Sequence, residues 1–94
     1  MNSQRIKYPK NWFEANRLVK NLEAEIMKIN ENSSSKRDRS KEILKIIKIS
    51  YAILKSIDRA IEESENTKEI RQFGAARKVL SDWMKRRRFP EKLI

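Results

Sequence analysis

Lys85, Arg86, Arg87 and Arg88 stand side by side near the carboxyl end of the chain, followed by Phe89 and Pro90. Complementing the carbonyl end of a helix dipole takes only one or two cations, about 0.3–1 kcal/mol each, and four in a row repel one another. Arginine outnumbers lysine three to one in this run, and a guanidinium fork grips two phosphate oxygens at once. The run therefore reads as a contact for a polyanion. A second set, Lys41, Lys45, Lys48, Lys55 and Arg59, recurs at helical spacing with Ala52 interrupting the row. It extends over about 27 Å at 1.5 Å per residue. A merely solvated helix face intersperses glutamates at i,i+4, yet Glu42 and Asp58 are the only acids between Lys41 and Arg59, and neither lies centrally on the row. Lys36, Arg37, Arg39 and Lys41 form a third group, expected in a flexible loop that could fold onto phosphates or simply stay in solvent.

Other chemistry is excluded early. With no Cys and no His in 94 residues, thiolate or imidazole metal sites, disulfides and Ser-His or Cys-His catalysis are all absent. A single glycine, Gly74, cannot build a phosphate-cradling glycine loop. Glu62, Glu63 and Glu65 gather beside Arg59 and Lys68 without pocket-forming neighbours, so no catalytic residue, metal or cofactor is expected and the chain is not read as an enzyme. What remains is charge: 23 Lys+Arg against 13 Asp+Glu, net +10. So large an excess on so small a body favours polyanions. The acids at one pole and the arginines at the other would orient the molecule in a polyanion's field.

These groups need a scaffold, and the apolar spacing supplies one. Trp12, Ala15, Val19, Leu22, Ile26 and Ile29 form an unbroken seam, predicting a first helix over about 9–29 opened by Pro9. A second helix is predicted over about 40–62 with Ser40 as its cap. Its two adjacent seams, one through Ile43, Ile46, Ile53 and Ile57, the other through Leu44, Ile47, Tyr51 and Leu54, would make it the central member. A third helix over about 67–88 begins with Asn66 and Glu69 as a capping box and buries Ile70, Phe73, Ala76, Leu80 and Trp83. Gly74 inside it implies either a close neighbour or a break of the helix there. The polar stretches NENSSSKRDR and ESEN separate the three. The expectation is a single all-α domain, residues 1–94, folded as an up-down-up three-helix bundle with a basic tail at 85–94. Both tryptophans fall on seams and are assigned to the core, Trp12 beside Ile61 and Phe73. Tyr8 and Phe89, off the seams, become the candidates for stacking on nucleobases.

From Gly74 the chain reads GAARKVLSDWMKRRRFP. Residues 68–90 resemble the second half of helix-turn-helix modules of transposases and excisionase-like proteins, through Gly74, Arg77, Leu80, Trp83, Met84 and Lys85. That resemblance implies a turn at Gly74, a recognition helix over 75–87, and Arg77, Lys78, Ser81 and Asp82 toward the major groove. The same stretch, with Ala76 and Trp83 seven apart and an ILK-type helix at Ile43–Ile47, also looks like the transcription-elongation-factor N-terminal domain, a helical protein-binding module. In size and charge the chain is similar to small immunity proteins of bacteriocin producers.

The expected function is that of a small basic nucleic-acid-binding protein, of DNA more than RNA, in a regulatory or accessory role. The alternative is a helical interaction module or small regulator, with an acidic or helical protein partner or a homodimer through the first helix. The polar first residues lack a signal-peptide core, and the run Ile43–Leu54 is too short and too charged to span a bilayer. The expected setting is therefore cytoplasmic, or associated with nucleoid or nucleus, and not secreted.

Overall fold

The computed structural model describes residues 7–32 and 35–89. It contains α1 (Trp12–Asn32), α2 (Lys36–Glu63) and α3 (Thr67–Arg86), with no strand among the described residues. This is the all-α three-helix bundle that the spacing predicts. Residues 90–94 of the expected basic tail lie outside the described residues, as do Ser33 and Ser34 of the first connection.

Each helix boundary has a local cause. α1 starts after Pro9: Asn11 Oδ1 accepts from the Glu14 backbone N–H at 2.8 Å, and Glu14 reaches back to the Lys10 N–H at 2.9 Å. The side chains thus satisfy two donors that have no intrahelical partner. α2 starts five residues earlier than a cap at Ser40 would place it. Its cap is Ser35, which accepts from the Asp38 N–H, while Ser40 Oγ donates to the Lys36 carbonyl within the helix. Lys36, Arg37, Arg39 and Lys41 consequently lie on the first two turns of α2 and not on a loop. This segment has no apolar residue before Ile43, so hydrophobic periodicity is blind to it, although lysine and arginine are good helix formers. α3 is capped by Asn66, whose side chain accepts from the Lys68 and Glu69 N–H groups. The reciprocal arm of the expected box differs: the Glu69 carboxylate takes its bond from Ser64 Oγ.

α3 ends in a Schellman turn. The Phe89 N–H bonds the Met84 carbonyl, the Arg88 N–H bonds the Lys85 carbonyl, and Arg88 adopts φ 58°. The reversal returns Phe89 edge-on to Trp83, with ring centroids 5.2 Å apart. Midway along α3, Gly74 is ordinary helix, and a Cβ placed on it would meet nothing within 4 Å. It marks neither a close approach nor a break.

One core joins the helices: Leu22 and Ile26 of α1, Ile46, Ile53 and Ile57 of α2, and Phe73, Leu80, Trp83 and Met84 of α3. The Tyr8–Phe73 ring contact and the Glu23–Arg87 ion pair fix α1 and α3 as parallel neighbours. The short 64–66 turn sets α2 antiparallel to α3. α3 packs about equally on both other helices, which touch each other much less. The central member is therefore α3 and not α2. Its buried set needs two neighbours to cover it, whereas on α2 Leu44 of the second seam remains partly exposed.

The expected place of Trp12 is taken by other residues. Tyr8 packs at 6.0 Å and 65° against Phe73, and Pro9 beside it is buried. The segment leading into α1 thus closes this end of the core, and Trp12 is left 59% exposed. Phe13 beside it is 69% exposed. The assignment of aromatics is reversed at this end: Tyr8 packs and Trp12 faces solvent. At the other end Trp83 is core as expected, and Phe89 covers it instead of standing free.

Candidate nucleic-acid interface

The folded backbone fixes where each cation points. Buried Ile46, Ser50, Ile53 and Ile57 define the inner line of α2. With 100° per residue, Lys41, Lys45, Lys48, Lys55 and Arg59 project from the opposite side, and all five are exposed. Among the described residues, the one carboxylate that meets this row is Glu42, paired with Lys45 at 3.2 Å, both partners solvated. Lys41, Lys48, Lys55 and Arg59 have no ion-pair partner among the described residues. Ser50 needs no outside partner: its hydroxyl donates to the Ile46 carbonyl at 2.8 Å within α2.

The row begins at the amino end of α2, where the helix dipole favours anions. Lys36, Arg37, Arg39 and Lys41 occupy these turns with Asp38 as the one acid in the first turn. The arrangement runs against local stability. A surface designed only for solubility would carry the opposite sign there.

At the far end of α3, Lys85, Arg86, Arg87 and Arg88 are all exposed. Lys85 and Arg86 fall in the last turn, where the dipole favours them. Arg87 is engaged by Glu23 of α1. Arg86, Arg87 and Arg88 line a shallow cleft of about 390 Å³ together with Val19, Glu23 and Trp83. The Trp83 indole N–H is buried without a hydrogen-bond partner. The left-handed backbone at Arg88 swings the chain around this cleft.

Arg77 and Lys78 separate from each other. Arg77 is half-buried and ion-paired with Asp58 of α2, so it ties two helices together. Lys78 is exposed and unpaired. Ser81 and Asp82 are half-buried. Of the eleven expected contacts, three are held by carboxylates (Lys45, Arg77 and Arg87) and eight reach solvent unpaired among the described residues. The α2 row lies opposite the buried line of α2, while Arg87 of the arginine run pairs with Glu23 of α1. Glu62, Glu63 and Glu65 are exposed at the α2–α3 turn, the opposite end from Arg87.

On α1, the seam led Trp12 to be assigned to the core over a base-stacking role. Trp12, Phe13, Asn16, Arg17 and Lys20 line an open concavity of about 490 Å³. Phe13, Arg17 and Lys20 lie on the side away from buried Ala15, Leu22 and Ile26, and Trp12, at the uncovered end of the seam, borders them through Asn16 one turn on. The same spacing was a signal open to reading, obscured because Trp12 also continues the apolar seam. Among the described residues no group of acidic side chains is arranged to hold a metal ion, and no helix is long and apolar enough to cross a membrane. Comparison with family models, curated proteins and solved structures finds no match for this chain.

Proposed function

We propose that this protein binds nucleic acid, DNA in the first instance, by neutralising phosphates with the α2 row and the Lys85–Arg88 end of α3. The supporting observation is the row itself: among the described residues, Lys41, Lys48, Lys55 and Arg59 stand exposed and unpaired on the side of α2 opposite its buried line. Core packing does not require them, and their mutual repulsion costs stability. Phosphate neutralisation alone carries this reading. Lys78 is a further exposed cation, while Arg77 is occupied by Asp58 and the turn that the helix-turn-helix resemblance implies at Gly74 is continuous helix. A regulatory or accessory role follows from the lack of any catalytic constellation in the sequence.

Counterion release gives the test. Each neutralised phosphate contributes about 0.9 to the slope of log K against log salt on duplex DNA. The expected slope is about 4 to 6 in magnitude, measured by fluorescence anisotropy across a salt series. Changing Lys85 to Arg88 together to alanine lowers it by about 3, less than four full contacts because Glu23 already holds Arg87. Tight binding indifferent to salt, or no binding at low salt, overturns the proposal.

Ala15, Leu22 and Ile26 of the α1 seam pack in the chain's own core, so a homodimer through α1 would use its exposed residues. A protein partner would have to use the residues that remain outside, Trp12 and Phe13 foremost.

A further inference from the structure

We infer that the outer amino-terminal face of α1 is a stacking platform for unpaired nucleobases, so that single-stranded nucleic acid is the preferred form of the ligand. This rests on the nucleic-acid reading above and narrows it. Trp12 and Phe13 are the two most exposed large aromatics of the described chain, at 59% and 69%. They are adjacent in sequence, and the concavity they line is completed by Asn16, Arg17 and Lys20 with no carboxylate and no aliphatic side chain.

That chemistry selects the occupant. A protein partner could also anchor on such rings, but the lining offers neither an aliphatic nor an acidic side chain to receive the rest of a helix face. Aromatic faces interleaved with cations suit a stack of bases on a charged backbone, because every base has a π-face and every nucleotide a phosphate. Arg17 stands one helical turn beyond Phe13 and Lys20 two turns beyond Trp12, where the phosphates of stacked nucleotides need cations. A duplex offers no such bases, since its own are already stacked.

The platform also has an exit. α1 runs parallel to α3, and Glu23, eleven residues past Trp12, is where Arg87 docks. The separation along the helix is about 16 Å, close to five stacked steps at 3.4 Å. A strand leaving the rings along α1 thus arrives at Arg86, Arg87 and Arg88. There its phosphate competes with the Glu23 carboxylate for the guanidinium.

The test uses the full chain with a labelled 15-mer of thymidylate and a duplex of equal length, titrated at several salt concentrations. Changing Trp12 and Phe13 together to alanine is expected to weaken the single strand at least tenfold, in line with base–aromatic stacking. The salt slope should be unchanged, and duplex affinity should stay within about twofold. Both side chains are exposed, so the fold survives, and far-UV circular dichroism verifies that. In parallel, the single strand should quench tryptophan emission of the wild type but not of Trp12→Phe, where buried Trp83 is the sole reporter. An undiminished single-strand affinity, or equal losses on both ligands, overturns the platform and leaves phosphate binding intact. Failure of the wild type to bind either ligand overturns both. Loss of one nuclease-resistant protein partner in the double variant, with single-strand affinity unchanged, assigns the face to protein docking and overturns the platform as well.

Discussion

The two tryptophans sit at opposite ends of the bundle, each on a regular apolar seam, and meet opposite fates. Trp83 is 2% exposed beneath Phe89, while Trp12 is 59% exposed. The difference lies in what caps each end. At the carboxyl end of α3 a Schellman turn brings an aromatic back onto the helix it has just left. At the amino end of α1 the segment preceding the helix, Tyr8 and Pro9, fills the space over Phe73 before the first turn begins. A seam states which side a residue is on; whether it is covered depends on the last residues before and after the helix.

The sharpest way to break this contrast is truncation of the two rings. Trp83→Ala is expected to cost about 3–5 kcal/mol, the usual range for a buried large aromatic. Trp12→Ala should stay within about 0.5 kcal/mol, as exposed positions do. Urea unfolding followed by circular dichroism measures both. Comparable losses would mean that Trp12 is part of the core.

The caps come next. Tyr8→Ala and Phe89→Ala should each cost about 1–2 kcal/mol, because each removes an edge-to-face pair and part of an apolar cover. An effect from only one of them would show that the two ends are not closed in the same manner. Tyr8→Ala also allows Trp12 to move inward, visible as a blue shift of its emission.

Arg88→Gly should stabilise the protein by about 1 kcal/mol, since φ 58° suits glycine and strains a residue with a Cβ. The same change removes a cation, so the salt slope for DNA should fall by about 0.9 as the melting temperature rises. A residue retained in a strained conformation at the proposed interface would then raise binding while lowering stability. The smallest expected gain is from Gly74→Ala, about 0.8 kcal/mol, because the helix there is regular and the space open. For the interface itself, Glu23→Gln frees Arg87 and should increase the slope by up to about 0.9, checked in the same titration.

Much of the molecule was legible in the residues. Three helices, their parallel and antiparallel order, the Asn66 cap and the burial of Trp83 followed from spacing, capping chemistry and short connections. The first two turns of α2 were hidden because a helix start of Lys, Arg, Asp and Ser has no apolar period, and its cap, Ser35, is the last of three consecutive serines. The exposure of the basic row was equally legible, since the apolar seams leave α2 only one side for it. That Glu23 holds Arg87 and Asp58 holds Arg77 was not, because both pairs join different helices and depend on their relative rotation.

Residue content and spacing by themselves determined an all-helical, strongly cationic body that lacks Cys and His, because those properties are sums over residues and periods within one helix. Only the packed arrangement decided that α3 and not α2 lies at the centre, and that Tyr8 displaces Trp12. It also decided which cations are neutralised from a neighbouring helix. Each of these is a competition between distant segments for the same volume or the same charge, and such a competition is resolved only when the helices are brought together.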